Sequence, residues 1–375
     1  MRIALFTETF LPATDGVVTR LRHTVEELVR AGDQVLVFAP SGGPESYAGA
    51  RIHGVPGIPF PPYPKIRLSP PHPGISRTLR RFRPDVIHAA NPFVLGPGGI
   101  FYAQRLKVPL VASYHTNVAA YARFYKLGFL ENATRWWTRT WHNQAHLNLC
   151  TSEATRDYLL NEGIKRVRVW PQGVDARRFH PGKASREWRI RLSGGRPEEK
   201  ILLYVGRLAP EKSIGRLKAV LLEIPNTKLA IVGDGPARKA LEKEFRGMNT
   251  VFTGLLVGED LACAFASADL FVFPSTTETL GIAMIEGLAS GLPVIAARSG
   301  AAHEVVSEGE NGLLYEPGSD KELVAAVRRI LKDDALRGTL SWQARIAAEK
   351  RGWKASTATL RGYYEEVLGS RGTAA

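Results

Sequence analysis

Residues 270–293 read LFVFPSTTETLGIAMIEGLASGLP, and this stretch decides the fold. The apolar run 270–273 predicts a strand, and the polar residues after it predict a loop. The residues that follow predict a helix that includes Glu286, and a further strand runs over 293–296. Strands that alternate with helices in this way are typical of a parallel sheet covered by helices.

This alternation occurs twice along the chain, which predicts two doubly wound α/β domains. The first set of elements comprises strands 2–6, 34–38, 85–89 and 109–114 and a helix over 17–30. The second set comprises strands 201–205, 228–232, 251–253, 270–273 and 293–296 with helices between them. Residues 171–197 are rich in Pro, Gly and Arg and predict an irregular linker.

The expected organisation is therefore a pair of similar domains, over residues 1–174 and 175–351. Two such α/β domains facing one another predict a cleft with a ligand between them. The sequence also predicts a helix over 354–368, and we expect the C-terminal segment 352–375 that contains it to pack back on the first domain.

Composition excludes several classes of protein. The 375 residues include two cysteines, Cys150 and Cys263, too few for a disulfide framework or a cysteine zinc site, so a reducing compartment is expected. No apolar run reaches the roughly 20 residues of a membrane-spanning helix, and residues 1–10 predict a strand rather than a secretory signal. The net charge is +14, and residues 1–150 hold 17 Lys and Arg against 8 Asp and Glu. A basic surface attracts nucleic acid, anionic lipid or a phosphorylated substrate, although it can equally serve solubility.

Two cations follow the first strand of the second domain. Residues 206–212 read GRLAPEK, and strand ends in parallel sheets face the ligand. Arg207 and Lys212 are therefore predicted to hold a diphosphate at the start of a helix, the alternative being two solvated charges on a loop. Gly233, Asp234 and Gly235 follow the next strand, where glycine lets a backbone approach a ligand, although a common turn is the simpler explanation.

Two carboxylates mark the quoted stretch itself. Glu278 precedes the helix, and Glu286 lies within it among apolar residues, where a carboxylate needs a reason. Glu278 is predicted to bind sugar hydroxyls beside the unpaired amides of Thr279, Leu280 and Gly281. Glu286 is predicted to bind a hydroxyl pair such as that of a ribose. The alternatives are a helix N-terminal charge for Glu278 and a surface residue for Glu286.

The first domain offers two further candidates. Gly16 lies between the first strand and its helix, where it can let a phosphate approach. His115 comes at the end of a strand, so we predict that it projects into the cleft and hydrogen-bonds a substrate hydroxyl. The alternative for His115 is a structural histidine.

Aromatic and basic residues are interleaved over 121–130, YARFYKLGFL, and over 135–141, RWWTRTW. Trp, Tyr and Arg suit a bilayer interface, where anionic headgroups are held electrostatically. The alternative is an ordinary helix that buries Trp136 or Trp137 in the core. The predicted acceptor or membrane contacts are Tyr121, Arg123, Lys126, Arg135 and Arg139.

Seven motifs occur in one order along the chain: TDG, SYHT, VGRLAPEKS, VGDGP, FTG, ADLFVFPSTTETLG and IEGLASGLPV. Together they resemble the retaining glycosyltransferases of family 4, which have the GT-B fold, and the resemblance covers nearly the whole chain. It implies that the second domain binds a nucleotide-sugar, with Arg207 and Lys212 on the diphosphate. Glu278 and the amides of 279–281 would then hold the sugar, and Glu286 the ribose. The first domain would bind the acceptor, with Gly16 approaching the diphosphate and His115 touching the transferred sugar.

Within that family, PPYPKIRLS, SYHTNVAAY and HNQAHLNLCTS look like the sulfolipid synthases, which transfer sulfoquinovose from its UDP derivative to diacylglycerol. The GDP-mannose-dependent α-mannosyltransferases of glycolipids or phosphatidylinositol are the alternative, and TETLG favours the sulfolipid group. Lys65 and Arg67 are candidates to meet a sulfonate.

The resemblance also implies a reaction with retention at the anomeric carbon, without a cofactor. We expect no metal, because the chain has no Asp-x-Asp motif and Asp333 and Asp334 lie in a solvated stretch. The expected partners are a UDP-linked sugar, a diacylglycerol-type lipid and an anionic membrane surface, with no nucleic acid. The expected location is the cytoplasm, at the inner face of the membrane. A non-catalytic sugar- or nucleotide-binding protein remains the alternative of another class.

Overall fold

The computed structural model describes residues 1–60, 63–116, 131–278, 281–300 and 302–369, with the backbone alone for 59, 60 and 63–67. Contacts divide the chain into two compact units. Unit 1 consists of Met1–Gly173 with the segment from Trp353 onward, and unit 2 consists of Val174–Gly352. Each unit contains a sheet dominated by parallel strands, as the alternation of strands and helices predicts.

The sheet of unit 1 has eight strands in the order β10-β9-β8-β7-β1-β2-β4-β3. The strands are β1 Arg2–Thr7, β2 Gln34–Pro40, β3 Ser46–Tyr47, β4 Ala50–Val55, β5 Ile58–Phe60, β6 Tyr63–Leu68, β7 Val86–Ala90, β8 Leu110–Ser113, β9 Leu147–Cys150 and β10 Val167–Val169. Within the sheet only β3 and β4 pair antiparallel, and β5 and β6 form a separate hairpin. Because β1 lies between β2 and β7, its carboxyl end is the point where such sheets bind ligands.

Helices cover both faces of this sheet. They are α1 Gly16–Arg30, α2 Pro73–Phe82, α3 Leu95–Leu106, α4 Glu131–His142, α5 Glu153–Asn161 and the last helix of the chain, α14 Trp353–Gly369. Alternate residues of β1 belong to opposite cores: Ile3 and Leu5 pack with α1 and α14, whereas Ala4 and Phe6 pack with α2 and α3. The side chain of Asp15 caps α1 by accepting hydrogen bonds from two amides of its first turn.

Unit 2 has six parallel strands in the order β13-β12-β11-β14-β15-β16. The strands are β11 Lys200–Val205, β12 Thr227–Val232, β13 Thr250–Gly254, β14 Leu270–Phe273, β15 Val294–Ala297 and β16 Gly312–Tyr315. The helices are α6 Arg186–Ser193, α7 Lys218–Glu223, α8 Arg238–Glu244, α9 Gly258–Ala266, α10 Ile282–Ala289, α11 Ala302–Val305, α12 Asp320–Lys332 and α13 Asp334–Glu349. The inner strands β11, β14 and β15 are nearly continuous apolar runs because helices bury both faces of the sheet.

The expectation of an irregular linker over 171–197 is wrong for residues 186–193, although the boundary between the two units does lie in this range, at Gly173 and Val174. Residues 186–193 form α6, which begins after the capping side chain of Ser185 and ends at Gly194 in the left-handed region. Trp188 and Leu192, four residues apart, lie in the core of unit 2. The Pro and Gly residues that suggested a linker stand on either side of this short helix, where they delimit it.

Candidate functional site

Three loops of unit 2 lie together at the carboxyl edge of its sheet. The loops after β11 and β12 are joined by a hydrogen bond of 3.0 Å from the amide of Leu208 to the carbonyl of Asp234. The loop after β14 reaches the first of these through a side-chain pair described below. Because β11 separates β12 from β14, the crossover direction reverses here, and ligands of open α/β sheets bind at such a point.

Lys212 and Glu278 form an ion pair between the loops after β11 and β14. Their side chains are 9% and 21% exposed, so the pair is largely shielded from water while Glu278 keeps some solvent contact. The structure therefore brings together one predicted phosphate-binding cation and one predicted sugar-binding carboxylate.

Arg207 pairs with Glu211, whose side chain is fully buried. Sequence analysis did not identify Glu211, although its spacing of four residues from Arg207 is a signal that finds such pairs. Each predicted cation thus has a carboxylate partner, and the formal charges of these four side chains sum to zero.

The prediction that an α-helix begins at these cations is wrong, because the structure has a 3-10 turn there. Pro210–Lys212 forms a single 3-10 turn, and Ser213 then adopts the left-handed region with φ 53°, which interrupts any helix. The α-helix begins at Lys218. Lys212 is consequently held by this turn and by Glu278 rather than by a helix N-terminus.

The glycines of 233–235 serve packing of the loops against each other. A Cβ atom at Gly233 would lie 2.0 Å from the carbonyl oxygen of Gly206, and one at Gly235 would lie 2.3 Å from that of Leu208. The motif is therefore required by backbone contact between neighbouring loops, in agreement with the simpler explanation of a turn. Asp234 accepts a hydrogen bond of 2.8 Å from the amide of Gly235.

Gly281 stands immediately before α10 with φ 72°, and a Cβ atom there would lie 2.4 Å from the terminal carbon of Met284. The left-handed backbone favours glycine at this position, whereas the end of the flexible Met284 side chain could move away from a Cβ atom. Thr279 and Leu280, which were predicted to offer their amides, lie outside the described residues. The predicted order of strand, loop with Glu278, and helix with Glu286 agrees with the bounds of β14 and α10.

Glu286 lies half-buried in α10. Burial raises the pKa of its carboxyl group to about 8, and the charge of Arg178 opposes this rise only partly. The group therefore carries a proton at neutral pH in the ligand-free protein, so it can both donate and accept hydrogen bonds.

Two hydroxyl groups that sequence analysis missed lie in the loop before Glu278. The hydroxyls of Ser275 and Thr277 are buried, and neither has a hydrogen-bond partner within the described part of the chain. An unpaired buried hydroxyl is costly unless a ligand or water satisfies it, so these two hydroxyls are further polar groups available beside Glu278.

In unit 1, Gly16 is the exposed first residue of α1, and His115 follows β8 at the same edge of the sheet. His115 is 7% exposed, and its Nε2 lies 2.8 Å from the hydroxyl oxygen of Ser113. Burial, and then the nearby charge of Arg20, hold the pKa of His115 well below its usual value, so the ring is neutral. The side-chain oxygen of Asn91 fixes the backbone here by accepting from the amides of His115 and Thr116.

The basic and aromatic segment is only partly described. Tyr121, Arg123 and Lys126 lie outside the described residues, as do the side chains of Lys65 and Arg67. In α4, Arg135 pairs with Glu131 at 2.7 Å and also with Glu162, so its charge is partly compensated. Trp136 is 55% exposed, and Trp137 donates its indole N–H to the carbonyl of Phe93. Arg139 lies beside Gly163, where an added Cβ atom would be 3.2 Å from Cδ of Arg139.

Among the described residues, no three His, Cys, Asp or Glu side chains are grouped as a metal ion would require. Cys150 and Cys263 are free thiols. None of the helices in the described ranges combines the length and apolar character needed to cross a bilayer.

Two family descriptions match the chain and together span most of it. Residues 14–178 match "Glycosyltransferase Family 4", and residues 187–347 match "Glycosyl transferases group 1". The sucrose-phosphate synthase from Thermosynechococcus elongatus superposes with a TM-score of 0.81, covering 98% of this chain and 99% of that one at 23% identity. This likeness of fold, with the two parallel-sheet units, confirms the predicted GT-B class.

Three curated relatives share more of the sequence. A sulfoquinovosyl transferase of Arabidopsis thaliana is 40% identical, over 96% of this chain and 72% of that protein. A GDP-mannose-dependent alpha-mannosyltransferase of Mycolicibacterium smegmatis is 38% identical, over 99% of both chains. An alpha-monoglucosyldiacylglycerol synthase of Streptococcus pneumoniae is 31% identical, over 84% of this chain and 75% of that protein.

Proposed function

The chain belongs to the glycosyltransferases of family 4, and we propose that it moves a hexose from a nucleotide-sugar to a membrane lipid with retention at the anomeric carbon. The observation that carries this proposal is the contact between Lys212 and Glu278. A cation suits a phosphate, and a carboxylate suits sugar hydroxyls. A nucleotide-sugar presents both groups on either side of a single bond, so adjacent cation and carboxylate match its reacting centre.

The specific reaction that we propose is transfer of sulfoquinovose from UDP-sulfoquinovose to diacylglycerol. The 40% identity to a sulfoquinovosyl transferase supports the sugar, and the likeness to an enzyme named for a glucosyldiacylglycerol supports the acceptor class. Lys65 and Arg67 stay proposed for the sulfonate. The second candidate is mannosyl transfer from GDP-mannose, which the 38% identity over nearly all of both chains favours.

In the proposed reaction, the bond between the anomeric carbon and the phosphate oxygen breaks, and the acceptor oxygen forms its bond on the same face of the sugar. The acceptor proton passes to the departing phosphate oxygen, so no general base is required of the protein. Negative charge grows on the diphosphate, where Arg207 and Lys212 stabilise it. As the phosphate engages Lys212, the carboxylate of Glu278 turns to the sugar hydroxyls, while Glu286 binds the ribose. We assign His115 to the transferred sugar and Gly16 to the diphosphate.

These cations supply the charge stabilisation that a divalent ion supplies in other transferases, so we propose that the reaction needs neither metal nor other cofactor. The partners in this scheme are the nucleotide-sugar, the lipid acceptor and an anionic membrane surface.

We place the protein in the cytoplasm, at the inner face of the membrane. The excess of Lys and Arg in residues 1–150 and the exposed indole of Trp136 on α4 support this peripheral contact. Binding to vesicles of anionic lipid should weaken with salt and with Arg139→Glu. Lys321→Glu, at an exposed position of α12 in unit 2, is the matched control. Vesicle binding that neither salt nor Arg139→Glu alters would refute the membrane contact.

The experiment that tests the function is a donor panel with the purified full chain. UDP-sulfoquinovose, UDP-glucose and GDP-mannose are each supplied with vesicles that contain diacylglycerol, phosphatidylinositol and a glycolipid, and the lipid product is identified by mass. Product from UDP-sulfoquinovose alone is the expected result. Product from GDP-mannose alone would select the second candidate, and binding of a nucleotide-sugar without turnover of any would select the non-catalytic alternative.

A further inference from the structure

A continuous series of hydrogen-bonded, buried polar side chains connects the last helix of the molecule to His115. The hydroxyl of Tyr364 on α14 lies 2.6 Å from Nδ1 of His88 on β7. Nε2 of His88 lies 2.7 Å from the hydroxyl oxygen of Ser113 at the end of β8. The same oxygen lies 2.8 Å from Nε2 of His115. All four residues belong to unit 1.

These groups are shielded from water and uncharged. His88 and Ser113 have no exposed surface, and Tyr364 is 1% exposed. Burial lowers the pKa of His88 to about 3, keeps that of His115 well below its usual value and raises that of Tyr364 well above. A neutral imidazole carries one ring proton, so each ring donates at one nitrogen and accepts at the other. The chain of hydrogen bonds therefore has a direction.

The phenol of Tyr364 sets that direction. A phenol is a better donor than acceptor, whereas the bare nitrogen of an imidazole is a good acceptor, so the hydroxyl of Tyr364 donates to Nδ1 of His88. His88 then bears its proton on Nε2 and donates to Ser113. Ser113 in turn donates to Nε2 of His115, which leaves the single ring proton of His115 on Nδ1.

Aromatic packing fixes the two imidazole rings in this arrangement. The indole of Trp170 lies against both of them, with ring centroids 5.8 Å from His88 and 5.9 Å from His115. Trp170 is itself held by the guanidinium of Arg20, 3.7 Å above its ring. A ring flip of His115, which would place a ring carbon where Nε2 now meets Ser113, therefore requires movement of this packed cluster.

We propose that Tyr364, His88 and Ser113 are positioning residues that hold His115 in the Nδ1–H tautomer, so that the nitrogen not engaged by Ser113 is a hydrogen-bond donor rather than a base. The functional part of this inference rests on the proposed function, in which His115 meets the transferred sugar. A donor suits a sugar hydroxyl oxygen, and it agrees with a reaction in which the departing phosphate takes the acceptor proton.

The test uses the full chain labelled with ¹⁵N at the histidine rings, and assigns His115 and His88 from the spectra of His115→Gln and His88→Gln. In the wild type, His115 should show a protonated Nδ1 and a bare Nε2. Tyr364→Phe and Ser113→Ala each remove a donor from the chain and should raise the population of the Nε2–H tautomer of His115. One ordinary hydrogen bond corresponds to about a five-fold change, so kcat should fall about five-fold in each variant, with the donor KM nearly unchanged.

Tyr363→Phe is the matched control. Tyr363 is the neighbour of Tyr364 on α14. Its phenol donates to the carbonyl of Val169, 2.8 Å away, and takes no part in the hydrogen bonds that link Tyr364 to His115. This control should leave the tautomer of His115 and kcat unchanged. Ser113→Ala removes only one oxygen atom, so the tautomer of His115 can still be tested with this variant if Tyr364→Phe fails to fold.

Three results separate the possibilities. An Nε2–H tautomer of His115 in the wild type would overturn the proposal, as would a tautomer that neither Tyr364→Phe nor Ser113→Ala disturbs. If the ring nitrogens behave as expected but the wild type transfers no sugar from any donor, the tautomer assignment stands and the proposed function fails.

Discussion

Replacing Glu286 by Gln should remove the pH dependence that this half-buried carboxyl imposes on the free energy of unfolding. The side chain lies half-buried in α10, where burial raises its pKa from the ordinary value of 4.5 to about 8. In the unfolded chain it titrates near 4.5. Its proton is thus bound more tightly in the folded state, so its contribution is fully present below pH 4.5 and is lost as pH rises to about 8. Gln keeps the shape of the protonated group and cannot ionise.

The magnitude follows from linkage. Between the two pKa values the stability changes by up to about 1.4 kcal/mol per pH unit for one group. From pH 5.5 to pH 7.5, the wild type should therefore lose roughly 2 kcal/mol relative to Glu286→Gln, after a discount for the partial exposure of the carboxyl. Glu286→Gln should be the more stable protein at pH 7.5.

Urea unfolding followed by fluorescence at several pH values measures this difference, and subtraction of the two curves removes the other titrating groups. Glu310→Gln, at an exposed position of the same unit, is the control and should track the wild type. Parallel curves for the wild type and Glu286→Gln between pH 5.5 and 7.5 would show that the carboxyl titrates normally and that its environment is more polar than the packing of α10 indicates.

Three further predictions concern other parts of the molecule. Lys212→Met should lower kcat/KM by about 10²-fold or more, because it removes the proposed phosphate contact. It should also destabilise unit 2 by roughly 1–3 kcal/mol, because it leaves the largely shielded carboxylate of Glu278 without its partner. Steady-state kinetics and urea unfolding test this, and Lys183→Met, which breaks an exposed ion pair, is the control. Glu8→Ala should lower the free energy of unfolding by about 2 kcal/mol, because the carboxylate of Glu8 accepts hydrogen bonds of 2.8–3.0 Å from four backbone amides at the start of α3. Recovery of part of this loss in Glu8→Gln would support a capping role, and unchanged midpoints of urea unfolding would contradict it. Dialysis against EDTA should leave the transfer rate unchanged, and a strict requirement for added divalent cations would contradict the charge-stabilisation scheme.

The central strands of both sheets were predictable because burial on both faces makes them continuous apolar runs. The strand predicted over 201–205 corresponds to Lys200–Val205, and the others end within about two residues of their observed bounds. Seven observed strands were not predicted, namely β3, β4, β5, β6, β9, β10 and β16. Two of these, β4 and β9, have mixed patterns. In β4 charged and apolar residues alternate near the sheet edge, and in β9 the buried Asn148 interrupts the run while pairing with His142. Such compensated polar groups are invisible in hydropathy alone.

The candidate site was predictable as a set of residue types at strand ends but not as a set of contacts. The pattern places Lys212 and Glu278 after different strands, and the sheet order, which makes those strands neighbours, brings them together. The link from Tyr364 to His115 has no sequence signal, because it depends on which helix packs over β7 and β8. The 3-10 turn at Lys212 was missed because Ser213 carries no glycine-like signature for its left-handed backbone.

The balance of charge at the carboxyl edge of unit 2 explains how the site can be both stable and receptive to an anion. Two partly shielded cations without partners would be costly to desolvate, and here each is neutralised by a carboxylate. A diphosphate alone would compete with Glu278 for Lys212 and leave that carboxylate unpaired. A nucleotide-sugar offers hydroxyl donors to Glu278 at the same moment, so both members of the pair keep partners. In the proposed binding mode, this exchange of partners across one ion pair would favour the intact nucleotide-sugar over the nucleoside diphosphate product.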